Sequence, residues 1–108
     1  MTTCLEIQSA GRQFEERPDA EFENPTVGDM LSALESLHER GSTTLYASLR
    51  DEEGWCVEAY ENGTVVFHNG DLKRQILLKH AKTEVVMNLW QLLQNGNRDE
   101  IKRRMKGR

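Results

Sequence analysis

Few residues of this chain have the types and spacing that enzyme chemistry requires. A nucleophilic thiol needs a histidine base and an orienting acid, and Cys56 and His68 lie on the two arms of an expected β-hairpin. With a two-residue loop at Asn62-Gly63, Val57 pairs with His68, which puts Cys56 and His68 on opposite faces of the sheet. The pair is therefore interpreted as accidental rather than catalytic.

Other chemical signals are equally sparse. The acidic run Asp51, Glu52 and Glu53 has the composition of a charged turn, and nothing in the sequence places it in a cleft. Cys4 and Cys56 form no CxxC motif and the three histidines lack ligand spacing, so we expect two reduced thiols, no metal and no cofactor. Phosphate-binding glycine motifs and HExxH are absent. The sequence predicts a protein that is not an enzyme.

Length and composition predict one soluble domain spanning residues 1–108. Hydrophobic residues make up 37% of the chain and charged residues 30%, which is typical of a globular protein. The chain contains no apolar run of about 18 residues that could cross a membrane. Its N-terminus lacks the basic-then-apolar order of a secretory signal. These features predict a cytoplasmic location.

Charge is distributed unevenly along the chain. Residues 1–70 carry fourteen acidic and four basic side chains, whereas residues 71–108 carry four acidic and ten basic ones. Such asymmetry indicates either attraction between the two halves of the fold or an electrostatic partner. Residues 98–108 form a basic tail or a short helix docked by Ile101 and Met105. No aromatic residue accompanies these basic residues and the remaining surface is acidic, so nucleic acid is not the expected partner.

Alternating and helical periodicities define the elements. Strands are expected at residues 3–9, 43–50, 55–60 and 64–69, with a further strand favoured over a helix within residues 72–81. Residues 10–25 read mainly as loop, with the alternatives that this stretch begins as a second strand or that Phe14 and Phe22 cover one sheet face. Thr26 and Asp29 form a capping box that begins a helix ending near Gly41. A second helix is expected from an N-cap at Thr83 to Gly96.

Apolar spacing predicts the buried side of each helix. The first helix is expected to bury Val27, Met30, Leu31, Leu34 and Leu37, and the second Val85, Val86, Leu89, Trp90, Leu92 and Leu93. These patterns predict an α+β fold, with a four- to five-stranded antiparallel sheet and two main helices packed on one face.

Strand register separates the two faces of the sheet. The uncharged face is expected to be core and holds Leu45, Ala47, Leu49, Trp55, Val57, Ala59 and Val66. The second face then collects Tyr46, Ser48, Cys56, Glu58, Tyr60, Val65 and Phe67. Aromatic anchors around one carboxylate are typical of the middle of a protein interface.

The order of these segments resembles a known family. NPTVGDMLSALESL, TLYASL, GWCVEAYENGTVVFHN and EVVMNLWQLLQNGNRDEI follow one another over residues 24–101. This order is similar to that of small bacterial immunity proteins, which neutralise polymorphic or contact-dependent toxins. Many members of that family carry a tryptophan soon after the terminal glycine, where this chain has Ile101 and a basic tail.

The resemblance implies a non-enzymatic inhibitor that occludes a toxin active site, and the second face fits that role. The expected partner-binding residues comprise three aromatic anchors, a central carboxylate and an acidic rim: Tyr46, Tyr60, Phe67, Glu58, Asp51, Glu52 and Glu53. Complementary charge would speed association with a cognate toxin or another basic protein. The alternative is a homodimeric structural domain that buries the same face against its own copy.

Overall fold

The computed structural model describes residues 2–9, 20–38, 44–70 and 74–106. Its elements follow the order β1 (Thr3–Ser9), β2 (Ala20–Glu23), α1 (Val27–His38), β3 (Thr44–Asp51), β4 (Cys56–Tyr60), β5 (Val65–His68), β6 (Ile76–Leu78), α2 (Thr83–Gln94) and α3 (Arg98–Lys106). The strands form one antiparallel sheet in the order β2-β1-β3-β4-β5-β6. The predicted α+β class and antiparallel sheet are confirmed. The expected strand count was too low, because the sheet has six strands, and α3 adds a helix to the two main ones.

The additional strand arises at β2. Its four residues AEFE are short and charged, so the sequence favoured loop there, yet they pair along β1. Asn24 ends the strand in a left-handed conformation, φ 49°, and its Oδ1 accepts a 3.0 Å hydrogen bond from Thr3 N. Phe22 pairs with Leu5, so residues 20–23 extend the sheet sideways and do not cover its second face. Phe14 lies outside the described residues.

The β4–β5 hairpin differs from the expected two-residue loop. Tyr60 N donates to Thr64 O at 2.9 Å and Gly63 N to Tyr60 O at 3.1 Å, so three residues form the loop. Only Gly63, at φ +87°, has a positive φ, as in a type I turn followed by a left-handed bulge residue. The extra loop residue moves β5 by one position against β4. The expected pairing of these two strands was therefore wrong.

This shift exchanges the faces of β5. Val57 pairs with Phe67 and Ala59 with Val65, so Phe67 and Val65 are core residues at 1% exposure each. Val66, expected in the core, instead faces away from it. Pairing of β3 with β4 keeps Ala47 and Leu49 on the core face, as expected, opposite Ala59 and Val57. The side chain of Leu45 lies outside the described residues.

Helix α1 begins with the predicted capping box. Asp29 N donates to Thr26 Oγ1 at 3.1 Å and Thr26 N to Asp29 Oδ2 at 2.9 Å, which satisfies two backbone donors at the helix start. Its buried residues are Met30, Ala33, Leu34 and Leu37. Val27 and Leu31, expected in the core, are 53% and 41% exposed because their side of the helix turns away from the sheet.

Helices α2 and α3 complete the core layer. Lys82 takes the N-cap position of α2, so Thr83 is the first helical residue rather than the cap. The buried Trp90 indole donates a 3.0 Å hydrogen bond to Val57 O, which ties α2 to the middle of the sheet. Gly96, at φ +73°, ends α2 as predicted, and its N–H donates to Leu93 O at 3.0 Å.

All three helices pack on one face of the sheet. Their buried residues join those of β1, β3, β4 and β5 in a single core that includes Leu5, Leu49, Val57 and Phe67. The docking of α3 by Ile101 at 0% and Met105 at 3% exposure agrees with the short-helix alternative, while residues 107–108 lie outside the described part. Within that part, no helix has the length and apolar character needed to span a bilayer.

Candidate functional site

The opposite side of the sheet is lined by polar and aromatic side chains and is referred to here as the polar face. Its residues follow from the cross-strand pairs and their alternation. They are Cys4, Glu6, Gln8, Glu21, Glu23, Tyr46, Ser48, Arg50, Cys56, Glu58, Tyr60, Val66, His68 and Leu77. No helix of the described residues packs on this side, although Gln8, Ser48, Cys56 and Val66 are buried.

Glu58 lies at the centre of a hydrogen-bonded group on the polar face. Its Oε1 is 2.6 Å from His68 Nε2, and its negative charge is one of the causes that raise the pKa of the nearby Tyr60 phenol. Gly70 N donates to His68 Nδ1 at 2.9 Å, which requires a lone pair on Nδ1. His68 is therefore the neutral Nε2–H tautomer and donates to Glu58. Both ring nitrogens are occupied, and the carboxylate is fixed in position.

Two tyrosines flank this group. The rings of Tyr46 and Tyr60 pair across β3 and β4, with centroids 5.6 Å apart. Burial and, next, the Glu58 carboxylate raise the pKa of Tyr60 to about 12, and the same two causes raise the pKa of Tyr46. Both phenols therefore remain protonated hydrogen-bond donors at neutral pH. The predicted site residues Tyr46, Glu58 and Tyr60 do lie together.

Cys56 is directly opposite His68, which corrects the expectation that they occupy different faces. The shared face does not create a catalytic pair. Burial first, and then Glu58, raise the pKa of the Cys56 thiol to about 12, so the thiolate is disfavoured. His68 Nδ1 accepts a hydrogen bond from Gly70 N, and His68 Nε2–H donates to Glu58. Neither ring nitrogen therefore has a free lone pair that could take the proton of the Cys56 thiol. The arrangement lacks an activated nucleophile.

The same three side chains could be considered as metal ligands. Donor atoms of Cys56, Glu58 and His68 lie within 4.8 Å of one another. A metal on His68 Nε2 would need a lone pair there and a proton on Nδ1, where the Gly70 N–H already donates. The observed hydrogen bonds thus place a proton between Nε2 and Glu58, where a metal would have to bind. The donor set does not fit a metal in this conformation.

Acidic groups dominate the polar face. It carries four carboxylates against a single arginine, with His68 neutral. Glu6 forms a 2.6 Å ion pair with Arg50, and Glu21 pairs across the strands with Glu6. Glu6 and Glu58 lie on either side of Ser48, one strand away in each direction. The result is a surface with a net negative charge and two aromatic rings.

The acidic turn between β3 and β4 has a different role from the one expected. Asp51 is 5% exposed, and its Oδ1 accepts hydrogen bonds from Glu53 N at 2.9 Å and Trp55 N at 3.0 Å. Its Oδ2 lies 3.5 Å from Arg98 Nε, and Arg98 also pairs with Glu53 at 2.7 Å. The prediction that Asp51 is a rim contact was wrong, because its carboxylate organises the turn from inside. The neighbouring Glu52 and Glu53 are exposed. Glu53 forms an ion pair with Arg98, and the Glu52 carboxylate accepts a hydrogen bond from Thr2 N.

Phe67 was also predicted as an aromatic anchor of the second face. Its ring instead stacks beneath Trp55 in the core, at 5.0 Å between centroids and 23° between planes. The register shift puts His68 on the polar face in its place. The loop sequence Glu61-Asn62-Gly63 is compatible with both registers. A glycine is suitable at the third position of a three-residue loop, and an Asn-Gly pair is equally suitable for a two-residue loop.

Comparison of the chain with models of known protein families, with curated proteins and with solved structures finds no match. A functional assignment therefore depends on the geometry of the polar face and on the pattern of the sequence.

Proposed function

We propose that this protein binds and neutralises a basic partner protein through the polar face, in the manner of a bacterial immunity protein that occludes the active site of a cognate toxin. The observation that carries the proposal is the position of Glu58. It is held by His68 at the centre of an acidic face over which no helix of the described residues packs. A carboxylate fixed in advance by neighbouring groups loses little freedom when it meets a cation.

Charge and aromatic content both support a basic partner. Four carboxylates steer a positively charged surface toward the polar face and increase the association rate. Tyr46 and Tyr60 supply rigid rings with protonated hydroxyls, the kind of side chain that contributes most to interface energy. Glu6 and His68 join them as contacts that the sequence did not indicate. Glu52 and Glu53 remain proposed rim residues at the end of β3.

The dimensions of the protein are adequate for one such interface. Its principal extents are 34 × 29 × 27 Å. One side of a molecule of this size offers an area on the order of the 800 Å² that each partner buries in a standard interface. The six-stranded sheet therefore provides enough surface without a further element.

We place the protein in the cytoplasm on the features of its sequence, and its two thiols are not positioned to form a disulfide with each other. Cys4 and Cys56 are free and lie on the same face with Arg50 of β3 between them. Two strand spacings of about 4.8 Å each separate them, which is too far for a disulfide. The high pKa of Cys56 also suits a protein that acts by binding and not by covalent catalysis.

Self-association through the same face is the alternative suggested by the sequence. A symmetric dimer would oppose the acidic polar face with an identical acidic surface, and like charges in contact oppose association. The net charge of the face therefore favours a different, basic partner. Light scattering of the purified protein separates the two, since the proposal expects a monomer until the partner is added.

The test is co-purification with the products of the genes that flank the gene of this protein. Glu58→Gln combined with Tyr60→Ala removes the central charge and one ring, and should weaken binding by at least about a hundredfold, the effect of losing two central contacts. Glu35→Gln, at an exposed position of α1 on the helix side, is the matched charge control and should bind like the unchanged protein. Circular dichroism would establish that both variants are folded. Equal binding by the Glu58/Tyr60 variant and the control would refute the polar face as the interface.

A further inference from the structure

A second feature lies at the other side of the sheet, between α3 and the strands β5 and β6. It is a pocket of about 510 Å³, lined by Trp55, Asn69, Arg74, Ile76, Lys102 and Lys106, with Phe67 at its floor. This volume is within the range of small-molecule sites. The lining combines apolar walls with three basic side chains, and none of the described residues that line it carries a carboxylate. The whole chain has 18 acidic side chains and a net charge of −4, so the positive charge of this lining is opposite in sign to the charge of the protein.

An aromatic ring does accompany the basic helix, contrary to the sequence-based expectation. Trp55 stacks on Phe67, while Lys102 Nζ lies 4.9 Å and Arg98 Cζ 5.6 Å from the Trp55 ring centroid. Cation–π contact holds Lys102 over the ring instead of leaving it to extend freely into solvent. The pocket therefore has a fixed wall and a positioned ammonium group.

The cations of α3 divide into two groups. Arg98 is neutralised by Asp51 and Glu53, and both Arg103 and Arg104 pair with Glu100 at 2.7 and 3.1 Å. In contrast, neither Lys102 nor Lys106 has a carboxylate partner in the part of the chain that the structure describes. These two lysines are four residues apart and so share one side of the helix, where like charges repel.

An anion bound between the lysines would remove that repulsion and hold both ammonium groups. One anionic group can contact side chains at i and i+4, whose Cβ atoms are about 5–6 Å apart. Arg74 also lines the pocket, and Ile76 and Trp55 provide apolar surface for an organic body. Asn69 adds an amide that can both donate and accept hydrogen bonds.

We propose that this pocket binds a small phosphate-bearing organic anion of the nucleoside diphosphate class. The phosphates occupy the space between Lys102 and Lys106, and the nucleoside lies against Ile76 and the edge of Trp55. This proposal does not depend on the partner binding described above, because the two surfaces are on different sides of the sheet.

The test uses ADP as the probe, with adenosine, pyrophosphate and a short single-stranded oligonucleotide as comparisons. Isothermal titration calorimetry on the full chain should detect ADP binding that weakens at least about tenfold in Lys102→Gln/Lys106→Gln. Arg103→Gln/Arg104→Gln removes the same charge from positions already paired with Glu100 and should change affinity less than about twofold. Tryptophan fluorescence provides a second signal through Trp55.

Each comparison has a defined consequence. If adenosine and pyrophosphate each bind more weakly than ADP, the result supports a site in which the cations and the apolar wall both contact the ligand. Absence of ADP binding at millimolar concentration, or equal weakening by the two double variants, overturns the proposal. Binding of the oligonucleotide more than about tenfold tighter than ADP, with a steep salt dependence, overturns the small-molecule assignment and points to nucleic acid.

Discussion

The arrangement of the polar face depends on the β4–β5 register, and Phe67 and Val66 test it directly. Phe67 is 1% exposed and stacked on Trp55, whereas Val66 is 8% exposed and faces away from the helices. Truncating a buried phenylalanine to alanine costs about 3–5 kcal/mol, through lost transfer free energy and an unfilled cavity. Val66→Ala removes two methyl groups outside the core and should cost about 1 kcal/mol.

Urea denaturation followed by circular dichroism measures both losses. Phe67→Ala should lower the denaturation midpoint several times more than Val66→Ala, with the slope unchanged. A loss of about 3–5 kcal/mol is a large part of the 5–15 kcal/mol typical of a domain, so Phe67→Leu provides a milder variant if the alanine form does not fold. A greater loss in Val66→Ala than in Phe67→Ala would refute the register. His68 would then leave the polar face, and the contact with Glu58 would be lost.

Two further predictions concern the polar face and the turn beside it. Tyr60 should ionise near pH 12 in ultraviolet titration against an ordinary value of 10.0, and Glu58→Gln should lower that midpoint only in part because burial is the larger cause. Because the folded pKa is raised, the stability contributed by the neutral phenol is complete below pH 10 and is lost as the pH rises through about 12. The pKa of Tyr46 is raised as well, so Tyr60→Phe should remove the higher of the two tyrosine transitions, and loss of the lower one instead would contradict this assignment. Asp51→Ala should destabilise the fold by about 2–4 kcal/mol in urea denaturation, because two backbone N–H groups lose a charged acceptor. Glu52→Ala, at the exposed position next to Asp51, is the control and should change the free energy of unfolding by less than about 0.5 kcal/mol. Similar losses in the two variants would show that the Asp51 hydrogen bonds contribute little to stability.

Local sequence signals predicted the elements with strong periodicity or chemistry of their own. The Thr26–Asp29 capping box, the glycine after α2 and the docking of α3 by Ile101 and Met105 appear in the structure as expected. Each depends on contacts between residues a few positions apart or on one apolar stripe. Such features are encoded within a short segment and can be read without knowing the rest of the fold.

Features that depend on distant partners were missed. Strand β2 has no strong β propensity, and it forms because β1 offers it a complete set of backbone partners. The hairpin register depended on whether Gly63 is the second or the third loop residue, and one position decided which of Phe67 and His68 faces the core. The pocket beside Trp55 could not be foreseen, because α3 reaches that residue only after the whole chain has folded.

The position of β1 has a consequence for how the chain folds. It is first in the sequence but lies inside the sheet, between β2 and β3. Strands β3 to β6 can pair in succession through short connections, and until β1 arrives the edge of β3 offers unpaired N–H and C=O groups to any other chain. Insertion of β1 requires contacts across some 40 residues, and contacts of this range are slow to form. The first strand of the chain thus covers the edge of β3, and β2 in turn covers the outer edge of β1.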